Sequence, residues 1–149
     1  MATWTRRSFN EASRGNKNRI DIGRPTTVSV DDLILIWVCS TQTATTASTI
    51  GDEIASFKNL AVGSLYVSLF AALADSNATS TSSYRVNFTA NGSITARVDV
   101  FTGHDETSAL AYQDVAPTSS HETTGTNPAS ITTDYSISLA VQFICGDND

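Results

Sequence analysis

The sequence of 149 residues predicts an all-β protein, an antiparallel β-sandwich of jelly-roll or Greek-key type with an extended N-terminal arm. Three observations lead to this prediction. The composition is dominated by Ser, Thr, Ala, Val, Leu and Ile, which favours strands and loops over helices. Short apolar runs with a period of two recur along the chain, whereas residues 1–19 are polar and lack such a period. We therefore divide the chain into an arm at 1–19 and one sandwich domain at 20–149.

The stretch Asp31–Ser40 is predicted to be the central strand of the sandwich, because two adjacent carboxylates lead into an unbroken apolar run. Leu35 and Trp37 then point to one face of the strand, and Ile34 and Ile36 point to the other. Both faces must therefore be covered. The best partner strand is the segment 134–145, which alternates cleanly between large apolar and small or polar residues.

The first half of the domain contains two further predicted strands. One covers residues 20–24 and ends at Pro25, which is confined to a strand edge or a turn. The second lies within residues 60–74, where alternation with β-branched and aromatic residues outweighs a helix-compatible content of Ala and Leu. Between them we expect an exposed loop at 41–49 and one or two helical turns at 50–59.

The second half contains a predicted β-hairpin. The alternating segments 84–88 and 94–101 flank Asn91-Gly92, a dipeptide typical of tight hairpin turns. A polar connection then covers residues 102–127, and long connections in compact domains are usually functional or contact a partner. Short strands with long connections are typical of jelly rolls and Greek keys.

Charge is distributed unevenly along the chain. Residues 1–24 hold six bases and two acids, a net charge of +4, whereas the remainder holds three bases and 13 acids, a net charge of −10. A basic arm on an acidic body indicates binding to an acidic protein surface or to another copy of the same chain. Nucleic acid is disfavoured because aromatic residues are not interleaved with the bases, and a merely solvated terminus is the remaining alternative. The predicted contact residues combine cations for carboxylate pairing with aromatic anchors: Trp4, Arg6, Arg7, Phe9, Arg14, Lys17 and Arg19.

Residue patterns for catalysis or metal binding are weak. The clusters that mix imidazole and carboxylate, at 104–106 and 121–122, lack the spacing of a metal motif, so we assign no catalytic, cofactor or metal residues. Cys39 and Cys145 are expected to be reduced thiols rather than a disulfide. No apolar run is long enough to span a bilayer, and no secretion signal is apparent, so we expect a cytosolic origin and no membrane contact.

Three motifs in chain order resemble small β-sandwich proteins of tailed bacteriophage virions, a group that includes capsid decoration proteins and tail-associated modules. They are Val30-Asp31-Asp32-Leu33-Ile34-Leu35, then Ala96-Arg97-Val98-Asp99-Val100-Phe101-Thr102-Gly103-His104-Asp105, and then Ser130-Ile131-Thr132-Thr133 leading into Ser138-Leu139. The resemblance implies a non-enzymatic structural protein that decorates and stabilises the phage head, docking through its arm and through oligomer contacts.

The same resemblance implies the partners and the location. The partners would be the major capsid protein or another virion protein, together with further copies of the chain, a trimer being favoured. The chain would lie on the virion surface after assembly in the cytoplasm of the host bacterium. The alternative is a tail- or fibre-associated module that binds host glycan through Tyr112 and the connection at 102–127. A sandwich hydrolase that uses His104 or His121 is a third and weaker alternative.

Overall fold

A computed structural model describes residues 5–103, without the side chains at 52–58 and at 62. This part of the chain forms six strands and one short helix. In chain order they are β1 (Thr5–Gly23), β2 (Leu33–Ser40), β3 (Ala44–Ser48), β4 (Asp52–Val62), β5 (Leu65–Leu73), α1 (Ser76–Ser80) and β6 (Ser83–Thr102). The pairings between these strands are antiparallel, which confirms the predicted all-β class.

The predicted central strand, β2, lies in the middle of the sheet. The strand order is β1-β6-β2-β5-β4, and β3 follows β2 along the same edge of β6. Leu33, for example, lies opposite Leu73 of β5 on one side and Phe101 of β6 on the other. Because both edges of β2 are occupied along its whole length, the predicted pairing of this strand with 134–145 is wrong. The segment 134–145 itself lies outside the described residues.

The strand β1 folds back on itself. A straight strand would place Asn10 and Gly23 roughly 40 Å apart, yet the Asn10 Nδ2 atom donates to the Gly23 carbonyl at 3.0 Å. The reversal coincides with two register shifts between Arg14 and Arg19, where Asn16 adopts a φ of 50°. Its partner β6 follows the same course, so the two halves of both strands enclose a common interior.

The interior of this coiled sheet is one continuous apolar cluster. It takes buried side chains from both halves of β6 and from β1, β2 and β5, among them Ile22, Ile36, Phe70, Tyr84 and Val98. A smaller cluster covers the outward face of β2: Leu33, Leu35, Trp37, Leu69, Ala71 and Phe101. All eight residues of β2 are buried, as the sequence predicts.

Two expectations for residues 41–59 are wrong. The expected loop at 41–49 contains β3, and the expected helical turns at 50–59 belong to β4. A helix of that length is marginal on its own, whereas pairing with β5 satisfies the backbone of β4 along most of its length. The side chain of Asn59 also ties β4 to β3, because it accepts from the Ala44 N–H at 2.6 Å and donates to the Ala44 carbonyl at 3.1 Å.

The predicted hairpin at Asn91-Gly92 is also wrong, because both residues lie inside the continuous strand β6. The glycine serves a close approach rather than a turn. A Cβ atom on Gly92 would lie 2.5 Å from the Thr41 Oγ1 atom, where the connection from β2 to β3 crosses β6. A tight turn instead joins β4 to β5 at Gly63, which has a φ of 60°.

Cys39 is disulfide-bonded, so the expectation of a reduced thiol at this position is wrong. Cys145 lies outside the described residues. Across residues 5–103 no helix has the length and apolar character needed to cross a bilayer.

The buried Tyr84 predicts a specific alkaline sensitivity. Its hydroxyl donates to the Ala78 carbonyl at 3.0 Å, and burial raises its pKa from 10.0 to about 12, with a smaller opposing effect of Arg24. Stability from this group is therefore complete below pH 10 and is lost as the pH rises to 12, by about 2 kcal/mol.

The change Tyr84→Phe is expected to lower the free energy of unfolding by about 1 kcal/mol at pH 8 through the lost hydrogen bond. The same change also removes the loss of stability above pH 10 that the ionisation of Tyr84 causes. Denaturant titrations at pH 8, 10 and 11 measure both effects, with Tyr66→Phe as the control that retains the alkaline loss. A Tyr84→Phe protein with the same pH dependence as the wild type would contradict this account.

Candidate interaction surface

The predicted contact residues lie on β1, which is part of the sheet. Residues 5–19 of the predicted arm pair with β6 of the same chain, from Thr5 opposite Thr102 to Arg19 opposite Asn87. The predicted boundary between 19 and 20 thus falls inside one strand. Trp4 lies outside the described residues. The other six predicted contact residues are all exposed. They separate into a group that contacts side chains elsewhere in the sheet and a group at the reversal of β1.

The first group contains Arg6 and Phe9, which belong to a charged cluster on the outward face of the sheet. Its centre is the buried carboxylate of Asp99, 2.7 Å from the Arg6 Nε atom and 2.8 Å from the Arg97 Nε atom. Both guanidinium groups also lie over the Phe9 ring, with the Arg6 Cζ atom 4.2 Å and the Arg97 Cζ atom 4.7 Å from the ring centre. We call these residues, with Glu11, the Asp99 cluster.

Glu11 completes the Asp99 cluster by binding the far side of Arg97. The Arg97 NH1 atom lies 2.8 Å from the Glu11 Oε1 atom, so that this guanidinium bridges β1 and β6. The hydrogen bonds that Arg97 donates to Asp99 are the main reason that the pKa of Arg97 is raised, and Glu11 adds to the effect. Charges in the Asp99 cluster are balanced, and its cations are engaged within the chain.

Arg7 binds the turn that leads into β2. Its NH1 atom donates to the Ser29 hydroxyl at 3.0 Å, its NH2 atom donates to the Thr102 hydroxyl at 3.1 Å, and its Nε atom lies 3.5 Å from the buried Asp32 carboxylate. Asp32 in turn accepts from the Ser29 N–H at 2.7 Å. The paired carboxylates of the sequence therefore separate, since Asp32 is buried and structural whereas Asp31 is exposed with a φ of 67°.

The second group comprises Arg14, Lys17 and Arg19, which lie where β1 reverses. Residues 13–19 are all exposed, and we call this segment the basic corner. The Arg14 NH1 atom donates only to the neighbouring Ser13 carbonyl, at 2.9 Å. Arg19 is 3.8 Å from the Asp21 carboxylate, which Arg85 binds more closely, at 2.7 Å. Among the residues whose structure is described, neither Arg14 nor Lys17 forms an ion pair.

Within the described part of the chain, the segments next to the basic corner supply no acidic residue other than Asp21, which lies 3.8 Å from Arg19 and is bound more closely by Arg85. The neighbours of the basic corner are the middle of β6 and the connection from β2 to β3, and the sequence has no Asp or Glu at 86–96 or 33–48. Exposed cations without partners create a positive potential that attracts anionic groups. The arrangement is suited to binding carboxylates or phosphates, and it holds the three cations on a backbone fixed by pairing with β6.

The other features predicted from the sequence add no second binding site among the described residues. The clusters at 104–106 and 121–122, together with Tyr112 and the connection from 104 to 127, lie outside the described residues. Within 5–103, no group of three or more His, Cys, Asp or Glu side chains is placed to hold a metal ion. A shallow depression of about 360 Å³ beside α1 is lined by hydroxyl and amide groups and one carboxylate, Asp75, which already caps the helix by accepting from the Ala78 N–H at 2.7 Å.

Sequence reasoning missed the Asp99 cluster although a signal was present. Arg97 and Asp99 are two positions apart on an otherwise apolar strand, which places both on the same face. The basic residues of the N-terminal segment were available to pair with Asp99. The comparisons with known proteins add no relative, since no family model, curated protein or solved structure matches the chain.

Proposed function

We propose that this chain is a non-enzymatic structural protein of a tailed-phage virion, a capsid decoration protein that docks through its basic corner. The observation that carries the proposal is the basic corner itself, three exposed cations of which Arg14 and Lys17 have no carboxylate partner in the described part of the chain. The sequence resemblance to small virion β-sandwiches supplies the class of particle. The coiled antiparallel sheet around one core supports a jelly-roll sandwich as its topology.

The docking residues in this proposal differ from those expected of a free arm. Arg6, Arg7 and Phe9 hold β1 against the rest of the sheet, whereas Arg14, Lys17 and Arg19 remain for a partner. Because their backbone is already ordered by pairing, these cations bind without the entropic cost of folding an arm. The partner is an acidic surface of the major capsid protein or of another virion protein, on the outside of the head.

A stabilising effect on the shell follows from mass action. A protein that binds across subunits of the assembled shell, but not free subunits, shifts the equilibrium towards assembly. An oligomer, with a trimer favoured, binds the shell through several weak contacts. Attachment is firm because each bound subunit raises the local concentration of its neighbours at the shell.

The test is whether the chain belongs to particles and needs its basic corner to bind them. Particles purified from a lysate of the source bacterium are expected to contain the chain, detected by mass spectrometry. On particles stripped of it, the double change Arg14→Glu and Lys17→Glu is expected to weaken rebinding at least tenfold, about 1.4 kcal/mol, because two positive charges at the contact become negative. Titration of stripped particles with labelled chain measures the affinity.

The control exchanges the two cations, as Arg14→Lys and Lys17→Arg, and is expected to rebind within about twofold of the wild type because the charge is kept. Absence of the chain from purified particles would overturn the proposal. Equal rebinding by the wild type and the charge-reversed protein would remove the basic corner from it.

A further inference from the structure

The two ends of the sheet carry opposite charge. The basic corner lies at one end, since Arg14 is paired with Ile94, and Ile94 lies opposite Ser40, the last residue of β2. At the other end, Leu33 begins β2 directly after Asp31 and Asp32, and its neighbour Leu73 lies opposite Asp52, the first residue of β4. The eight residues of β2 separate these ends by roughly 25 Å.

The end opposite the basic corner has an excess of acidic residues. Arg7 compensates the buried Asp32. The four other acidic residues placed here by the backbone are Asp31, Asp52, Glu53 and Asp75. The remaining nearby cation is Arg24, whose Nε atom donates to the Thr81 carbonyl at 2.9 Å just after α1. Four carboxylates against one guanidinium give this acidic end a formal charge of −3, which matches the +3 of the basic corner in size.

We propose that the basic corner of one copy docks on the acidic end of a second copy, so that the chains associate head to tail. This inference rests on the proposed function in using the same surface, and it identifies the other virion protein bound there as a second copy of this chain. Contact between two basic corners would instead place like charges opposite one another, which is unfavourable. A head-to-tail contact uses different surfaces on the two copies and therefore produces rings or open chains rather than isolated symmetric dimers.

The chemistry of this contact predicts its strength. Arg14 is suited to binding a carboxylate through two parallel hydrogen bonds, whereas Lys17 acts as a point charge. The residues of the basic corner and Asp31 are exposed, so the ion pairs that they form contribute little and are screened by salt. Association is therefore weak and salt-sensitive in dilute solution, and it becomes important where copies are concentrated on a surface.

Sedimentation velocity of the full chain without particles tests the inference. The wild type is expected to self-associate at 50 mM salt and to lose about tenfold in association constant at 500 mM salt. A corner variant, Arg14→Glu with Lys17→Glu, and an end variant, Asp31→Asn with Asp75→Asn, are each expected to associate about tenfold more weakly. Asn is suitable at both acidic positions because it tolerates a positive φ at 31 and caps a helix at 75.

An equimolar mixture of the two variants gives the sharpest result. The end variant keeps its basic corner, and the corner variant keeps its acidic end, so one productive contact remains per pair. The mixture is expected to form heterodimers at the affinity of the wild-type contact and nothing larger. The exchanged-cation protein, Arg14→Lys with Lys17→Arg, is expected to associate as the wild type does.

Three results would overturn the inference: a monomeric wild type at 50 mM salt, variants that associate like the wild type, or a mixture no more associated than its components. A monomeric wild type that binds single-stranded DNA through the corner would assign the surface to nucleic acid instead. A wild type that binds particles but stays monomeric at 50 mM salt would overturn only this inference, whereas self-association of a chain absent from particles would overturn only the proposed function.

Discussion

Removal of residues 1–19 is expected to abolish the cooperative unfolding transition of this protein. These residues are the neighbours of β6 from Asn87 to Thr102, so their loss exposes the N–H and C=O groups along that edge. The buried Asp32 loses its cation Arg7, and Asp99 loses one of its two guanidinium partners. Burying a carboxylate without its partner costs several kcal/mol, which is a large share of the roughly 5–15 kcal/mol that stabilises a typical domain.

Thermal unfolding followed by circular dichroism measures this effect. The shortened chain is expected to show a broad, non-cooperative change and to aggregate through the exposed edge of β6. The full chain with Arg14→Glu and Lys17→Glu is the control, and it is expected to unfold cooperatively within about 1 kcal/mol of the wild type because both side chains are exposed. A shortened chain that unfolds as sharply as the wild type would mean that residues 1–19 are an appendage.

The change Asp99→Ala is expected to lower the free energy of unfolding by about 3 kcal/mol, because this buried carboxylate binds both guanidinium groups of the Asp99 cluster. It leaves the Arg6 guanidinium without a carboxylate and removes two of the hydrogen bonds of Arg97. The loss stays below that of a fully buried pair, because the side chains of Arg6 and Arg97 are 41% and 30% exposed and can turn to water.

Urea denaturation at pH 7 of Asp99→Ala and Glu11→Ala separates the buried carboxylate from its exposed neighbour. Glu11, whose side chain is 57% exposed, binds the same guanidinium of Arg97. Its removal is expected to cost less than about 1 kcal/mol because solvent screens the pair. Equal losses for the two variants would show that Asp99 is not the centre of the cluster.

The sequence was informative where the backbone pattern alone determines structure. The apolar run of β2 predicts a strand with two buried faces, and all its residues are buried. The alternation in 65–73 outweighs the helix propensity of Ala and Leu, and β5 is a strand. In these segments the local pattern and the tertiary environment favour the same structure.

The prediction failed where partners distant in sequence decide the outcome. Asn91-Gly92 is a strong local turn signal, but β1 and the connection at Thr41 accompany β6 through this region and the strand continues. The N-terminal segment looked like an arm because its composition is polar. A polar strand is stable here because its guanidinium groups bind buried carboxylates that lie 25 or more residues away in the chain.

The separation of the predicted contact residues into two groups also depends on how β1 pairs with β6, which no local sequence pattern predicts. Sequence reasoning grouped Arg6 and Arg14 as equivalent contacts. The structure separates them, since Arg6 binds Asp99 and Arg14 lies at the exposed reversal of β1. The difference between them is the partner across the sheet, an acidic face for Arg6 and an uncharged stretch of β6 for Arg14.

Native-state hydrogen exchange along residues 5–23 tests the central claim most directly. If this segment is a strand of the sheet, the amides that bond to β6 between residues 5 and 14 exchange as slowly as their partners in β6, and the amides around Asn16 exchange faster. Free exchange throughout residues 5–19, with protection beginning at Ile20, would contradict the account and restore an arm that orders only on a partner.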